Sequence, residues 1–397
     1  MHRQNSATFI LVFAAILSAF APLTTDLYLP ALPALTEAFA TNASNVQLSL
    51  TFSFIGMATG QLLFGPLSDK QGRKTPLLMS LVAFVLATLG CIYAWNIESF
   101  NFFRLLQGFA GAGGLVISRS IAVDLYEEEH LARFLSSLAV INGIAPIIAP
   151  VGGGVLLDFT DWRGIFVVLL ILGVCILMGG VYFKETLPVS RRLQGNMLKT
   201  YSSFGKVLRN RNYLNYTLSI GFTMGMFFAY LASSPFIFQN IYKVTPSQYG
   251  IFFAVNAVGL IIGNKLIVRF VSARQAFASA SRLALATTIF IAVVLYFQWH
   301  VLVVEAAFFI LLIAVGILLP AGTSLALNLE RENSGSASAL LGFFQFFMGG
   351  LISPLVGIGD IMLTTSITIF LTALVSFYFA NKAMVVSDKG QKEVIFR

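Results

Sequence analysis

Two charged side chains fall where charge is expensive. Asp26 lies within an apolar stretch over residues 7–30. A carboxylate inside a membrane-spanning helix costs about 2.5–3.5 kcal/mol on insertion scales, so such a group is expected to face a cavity and to have a partner. Burial disfavours its charged form, and a carboxyl that can lose or gain a proton is what a proton carrier requires. The competing reading starts the first helix early and leaves Asp26 at the outer interface as a solvated helix-end residue. Arg104 lies about one turn into a second stretch, 100–122. Its guanidinium is always charged and can snorkel outward, or it can point inward near Asp26. There its field would time proton release and its N–H groups could hold a carbonyl or nitro oxygen of a cargo molecule.

Other chemistries lack support. His2, His130 and His300 are far apart and show no metal-ligand spacing. Cys91 and Cys175 sit in long apolar runs with no ligand-type neighbour, which argues against a disulfide framework or a zinc site. The glycine-rich stretches lack the G-K-[ST] ending that cradles a phosphate, so neither ATP nor any cofactor is expected, and the chain does not read as an enzyme. Tyr28, Tyr230, Asn256, Asn328, Phe344 and Gln345 are the candidates for lining a substrate cavity, because polar groups in a span prefer the bundle interior. Aromatic residues in helices also pack without any ligand.

The elements that must position these residues follow from composition. Hydrophobic residues make up 57% of the 397, only 11% are charged, and the mean hydropathy is +0.84. Soluble domains carry about 25% charged residues, so this is an all-α integral membrane protein in contact with lipid. Twelve transmembrane helices are expected near 7–30, 46–67, 76–95, 100–122, 133–157, 163–183, 213–238, 247–270, 274–297, 301–328, 335–357 and 361–381. Ala19-Phe20-Ala21 resembles a signal-peptidase site, but Pro22 and the continuing run through Leu29 favour a retained first helix.

Charge gives the orientation. With the N-terminus in the cytoplasm, every Lys and Arg falls inside except Arg163 and Lys243 outside and Arg104 within a span. Acids show no such segregation, and Glu305 is counted among those outside, which leaves Asp26 as the single embedded acid. Trp95, Trp162 and Trp299 all fall at helix ends on the outer side, as amphipathic indoles prefer. The net charge of +8 therefore belongs to loops that flank helices, and no nucleic-acid partner is expected. Residues 184–212, with Lys184, Arg191, Arg192, Lys199, Lys206, Arg209 and Arg211 against Glu185, form a basic linker between two six-helix halves. The expected domains are 1–183, the linker, 213–381 and a cytoplasmic tail, 382–397. Two repeated halves with a basic middle loop are the organisation of secondary transporters.

Gly143, Pro146, Pro150, Gly152 and Gly153 lie together on the fifth span. Small residues let helices approach closely and each proline removes a backbone donor, so the cluster reads either as an ordinary packing face or as a bendable seam between the halves. In the turn after the second span, Asp69 can pair with nearby positive charge or cap a helix, and Arg73 and Lys74 anchor the turn in the cytosol.

The run Gly65-Pro66-Leu67-Ser68-Asp69-Lys70-Gln71-Gly72-Arg73-Lys74 closely resembles the signature loop of the major facilitator superfamily. Gly143 through Gly153 resembles the antiporter motif of its twelve-helix drug:proton exporters. Thr25-Asp26-Leu27-Tyr28-Leu29-Pro30-Ala31-Leu32-Pro33, Arg104-Leu105-Leu106-Gln107-Gly108, and Ser118-Arg119 before Asp124 are similar to the bicyclomycin and chloramphenicol resistance (Bcr/CflA) subfamily. The resemblance implies two pseudo-symmetric six-helix bundles in a bacterial inner membrane, both termini cytoplasmic, acting as a monomer. It implies export of small amphipathic compounds, driven by the proton gradient alone. On this resemblance Asp26 is the proton and substrate-sensing position and Arg104 is coupled to its protonation. The Gly65, Asp69, Gly72, Arg73 and Lys74 loop is then a latch between the halves, and the Gly/Pro cluster limits proton leak. Some relatives have a second acid two turns before Asp26, where this chain has Ser18. A single embedded acid points to neutral or zwitterionic substrates.

Two other readings stay open: a metabolite exporter of the same fold, taking a sugar, amino acid or siderophore, and a membrane receptor or scaffold that moves nothing. The second has little use for an embedded acid.

Overall fold

The computed structural model describes residues 5–126, 128–192, 204–330 and 334–395. The linker basic residue Lys199 and the N-terminal His2 lie outside them. The described residues are helical, and several helices begin at caps visible in the sequence. Helix α1 (Ala7–Asp26) starts where Ser6 accepts the Phe9 amide. A 3-10 turn, Leu29–Ala31, and the short α2 (Leu32–Ala38) follow, each with a proline in its first turn, where no amide hydrogen is needed. Asn42 caps α3 (Ala43–Gln71). After α4 (Lys74–Ile92), Asn96 and Ser99 form a reciprocal capping box on α5 (Ile97–Leu125). Helix α6 spans Glu128–Leu157 and Asp161 caps α7 (Trp162–Tyr182). In the second half, Asn210 caps α8 (Arg211–Phe236), followed by α9 (Pro246–Leu266), α10 (Ala273–Tyr296) capped by Ser272, α11 (Val301–Asn328), α12 (Ser334–Ile352) and α13 (Ile361–Ile395).

Among the described residues ten helices are long and apolar enough to cross a membrane. The first predicted span is the eleventh: it bends by 43° between Thr8–Phe20 and Leu23–Ala38. The break includes Pro22, which has no amide to donate. The fifth predicted span is carried by α6, whose Ile144–Leu157 part is apolar. Helix α13 runs to Ile395, past the expected span end at 381; its apolar span reaches Val385, and no proline interrupts the residues that follow.

The chain divides into two compact units. One comprises 1–197 with 244–254, the other 198–243 with 255–397. The start of α9 thus packs with the first unit although it follows α8 in sequence. In the first unit Phe13, Leu17, Phe20, Leu81, Phe84, Ile117 and Ile176 form one buried core contributed by α1, α4, α5 and α7.

Each unit holds a helix pair brought into backbone contact by glycine. In the first, a Cβ on Gly56 would lie 2.2 Å from the Leu105 carbonyl oxygen, and one on Gly108 would lie 2.0 Å from that of Ser53. Only glycine permits α3 and α5 to meet so closely. In the second, Gly263 and Gly316 stand in the same relation to the carbonyls of Ile313 and Leu260, joining α9 to α11. The repeat is therefore a packing repeat: Gly56 and Gly60 on α3 answer to Gly259 and Gly263 on α9.

Candidate functional site

Arg104 lies about two turns into α5, one turn before the Gly108 contact that fixes that helix against α3. It is fully buried. Its Nη1 donates to Gln107 Oε1 and reaches the Thr24 carbonyl at 3.5 Å. Gln107 in turn donates to Thr88 Oγ1 at 2.8 Å, and Thr88 bonds back to the Phe84 carbonyl. The guanidinium carbon stands 4.3 Å from the centre of the Tyr28 ring and 5.8 Å from that of Phe166. Tyr28 is itself fully buried, its hydroxyl 3.0 Å from Ser49 Oγ. The guanidinium is thus held on three sides and does not snorkel to water. Two of its nitrogens, Nε and Nη2, are buried without a hydrogen-bond partner. An acceptor oxygen on a ligand would satisfy them.

Asp26 is the last residue of α1, and the solvated helix-end reading fails there. It is 7% exposed, and the residues that follow, Leu27 to Leu32, are buried too, because the chain continues inward through the 3-10 turn. Its backbone lies two residues beyond the carbonyl that Arg104 reaches. Among the described residues Asp26 forms no ion pair, so Arg104 is near it in the chain fold without neutralising it.

Helix α6 closes on this segment. A Cβ on Gly153 would sit 1.9 Å from the Leu27 carbonyl oxygen, whereas one on Gly152 would meet only the Leu27 side chain at 3.8 Å. Gly154, next along the helix, touches the Pro246 carbonyl, and Gly250 touches that of Pro150; these residues of α9 belong to the first unit. Pro146 is half-buried within α6, and Gly143 lies on the same helix. The glycine seam therefore includes Gly154, which its neighbours Gly152 and Gly153 masked in the sequence.

The turn after α3 is a compact ionic cluster. Arg73 is buried and its Nε and Nη2 bond both oxygens of Asp124 at 2.8 and 3.0 Å. Its Nη1 bonds Asp69 at 2.5 Å and Ser68 at 2.9 Å. Burial alone would loosen the Arg73 proton, but the hydrogen bonds and charges of Asp124 and Asp69 outweigh it, so the group stays cationic. Asp69 thus takes the first of its two expected roles, pairing with positive charge, while Glu185 accepts from the Arg73 and Lys74 amides and so caps α4. Lys74 Nζ reaches the Val181 carbonyl. Gly72 has φ +92°, and a Cβ there would strike Glu185. Gly65 is loosely surrounded, with Val116 at 3.9 Å. These partners all belong to the first unit.

The cavity-lining candidates of the second half separate. Tyr230 and Asn256 are buried and joined: Asn256 Nδ2 donates to the Tyr230 hydroxyl at 3.0 Å and to Glu305 Oε2 at 2.9 Å. Phe344 and Gln345 are half-buried in the middle of α12. Asn328 is a correction: it is exposed at the last residue of α11, because that helix ends at this point. Glu305 is the other correction. Counted outside the membrane from its place near a helix start, it is 7% exposed, so Asp26 is not the single embedded acid. The signal was present, since Glu305 follows Val301-Leu302-Val303-Val304 and precedes a long apolar run. Gln107, three residues from Arg104 on the same helix face, was equally legible.

Comparison with known proteins shows the family and the fold. The family model described as Major Facilitator Superfamily matches residues 12–354. A bicyclomycin resistance protein homolog of Haemophilus influenzae is 28% identical over 90% of each chain. The chloramphenicol resistance protein CraA of Acinetobacter baumannii is 30% identical over 72% of this chain and 67% of its own. A solved bacterial homologue of the human lysosomal transporter Spinster, 14% identical, superposes with a TM-score of 0.73 over 96% of this chain and 98% of its own, a likeness of fold.

Proposed function

Because the chain belongs to the Major Facilitator Superfamily, a family of multi-pass membrane transporters and not of enzymes, we propose that it exports small amphipathic compounds from a bacterial cytoplasm in exchange for protons. The cargo includes chloramphenicol-like molecules; the restriction to neutral or zwitterionic compounds rested on a single embedded acid and does not survive the burial of Glu305. The observation that carries the reading is Asp26: a carboxyl 7% exposed, without an ion-pair partner among the described residues, beside a fully buried arginine that has donors to spare.

In the proposed cycle an oxygen of the cargo, a carbonyl or nitro group, satisfies Arg104 Nε and Nη2, while Tyr28 and Phe166 offer aromatic faces to its apolar part. Cargo entering from the cytoplasm or inner leaflet favours loss of the Asp26 proton, and a proton taken up from outside releases the cargo. Proton and cargo exclude each other at one site, and the two halves exchange access to it by rocking. The Arg73, Asp69 and Asp124 cluster holds the inner ends of its helices during that motion, and the Gly153 contact keeps the Asp26 segment closed to leak. No cofactor takes part, and the protein acts as a monomer in the inner membrane with both termini cytoplasmic. The support for orientation is the placement of Lys and Arg; that for the cargo is the likeness to resistance proteins.

The test uses proteoliposomes with an imposed pH gradient. Wild-type protein is expected to move chloramphenicol against its gradient while Asp26→Asn binds it and fails to pump. Equal pH-driven pumping by Asp26→Asn would remove the carboxyl from the coupling.

A further inference from the structure

The second unit contains a buried acid that the proposed cycle does not use. Glu305 lies about one turn into α11, between helices whose packing is fixed by the glycines of α9 and α11. One carboxylate oxygen accepts from Asn256; the other, Oε1, is buried with no hydrogen-bond partner. The Asn256 carbonyl oxygen is likewise buried and without a partner. The Asn256 amino group bonds both Glu305 and Tyr230, so both of its hydrogens are committed. What remains is an ionisable carboxyl and two orphaned oxygens, among aromatic rings: Tyr230 lies 5.0 Å from Phe308, and Phe308 lies 6.3 Å from Phe238. Among the described residues no lysine or arginine pairs with Glu305.

With the carboxyl ionised, the lack of a partner costs several kcal/mol, and an unmade hydrogen bond at each orphaned acceptor adds about 1–3 kcal/mol. A donor-bearing cation removes both costs at once. An anion would be repelled, and a neutral apolar group would leave the acceptors unmet. An ammonium brings positive charge and several N–H donors, and aromatic faces attract it further. We infer that Glu305, Asn256 and Tyr230 form a binding subsite for the ammonium group of a monocationic or zwitterionic substrate. The inference rests on the export reading above and extends its substrate class to amines.

The test compares two probes with purified protein in detergent: dansylcadaverine, which carries a primary ammonium, and a dansyl pentylamide, which has the same ring and chain without the amine. Binding is read by dansyl fluorescence. Wild-type protein is expected to bind the ammonium probe at least tenfold more tightly than the neutral one. Glu305→Gln, the same shape without the charge, is expected to erase that preference, weakening the ammonium probe about tenfold and the neutral probe less than twofold. Glu305→Asp, which keeps the charge, is expected to retain part of the preference, so a folding defect in the Gln variant cannot imitate the result. Equal affinity of wild-type protein for the two probes, or a preference undiminished in Glu305→Gln, would overturn the subsite. The same pair measured in the Asp26→Asn background separates the two ideas. A Glu305-dependent preference that persists there supports the subsite even if pH-driven pumping turns out not to need Asp26. Loss of pumping in Asp26→Asn, with no probe preference at Glu305, leaves the export reading standing without the subsite.

Discussion

Gly152 and Gly153 are adjacent on α6, yet alanine is expected to be tolerated at one and not at the other. At Gly153 the new methyl would lie 1.9 Å from the Leu27 carbonyl oxygen, and ordinary contact begins at 3.4 Å, so the two backbones must part by 3.4 − 1.9 = 1.5 Å. At Gly152 the methyl would meet a flexible leucine side chain at 3.8 Å and nothing need move. Both substitutions gain the helix preference of alanine over glycine, about 1 kcal/mol, so that contribution cancels in the comparison. The difference left is overpacking, which costs about 1–3 kcal/mol in a close-packed interior. Unfolding of the two variants by denaturant in a fixed detergent gives this difference directly, and drug efflux from cells gives its functional counterpart. Gly153→Ala is expected to be less stable than Gly152→Ala by that amount and to lose efflux, because the parting backbone adjoins Asp26. A Gly153→Ala protein within 0.5 kcal/mol of Gly152→Ala on the scale of that overpacking cost, and still pumping, would refute the close approach of α6 to this segment.

Three further outcomes follow from the geometry. Arg73→Ala leaves the buried Asp124 carboxylate without its bidentate partner and is expected to destabilise the protein by about 3–5 kcal/mol, with Asp124→Asn in the same chain recovering part of the loss; denaturant unfolding of the single and double variants checks it. Arg104→Lys keeps the charge but cannot span Tyr28, Gln107 and the Thr24 carbonyl with one compact ammonium, so chloramphenicol affinity is expected to fall about tenfold or more by equilibrium dialysis. Gly263→Ala, whose methyl would lie 2.1 Å from the Ile313 carbonyl, is expected to be as damaging as Gly108→Ala in the first half, whereas Gly65→Ala, with 3.9 Å of clearance, is expected to leave stability within about 1 kcal/mol of wild type in the same unfolding assay.

The helices were legible because lipid makes a simple demand, a long apolar run, and because caps such as Ser6, Asn42, Asn96 and Asp161 mark where the runs begin. Arg104 and Asp26 were legible for the opposite reason, as charges interrupting such a run. Glu305 was missed because distance from a helix start was used as a measure of depth, and a side chain about one turn inside can be covered by neighbouring helices that the sequence alone does not position. Asn328 failed by the mirror of that error: an amide at a helix terminus was credited with a bundle-facing position when the helix ends there. The role of Glu185 was hidden too, since capping α4 from beyond α7 is a contact made across more than a hundred residues. The internal repeat was faint as residue identity but present as spacing, because what is repeated is the need for glycine wherever two backbones touch.

Proton release is the most direct measure of the coupling. Purified protein in weakly buffered detergent at neutral pH, reported by a soluble pH indicator, is expected to release protons on addition of chloramphenicol, and Asp26→Asn is expected to bind the drug with no release. Drug-evoked release of the same size from both proteins would contradict the assignment of the exchanged proton to Asp26.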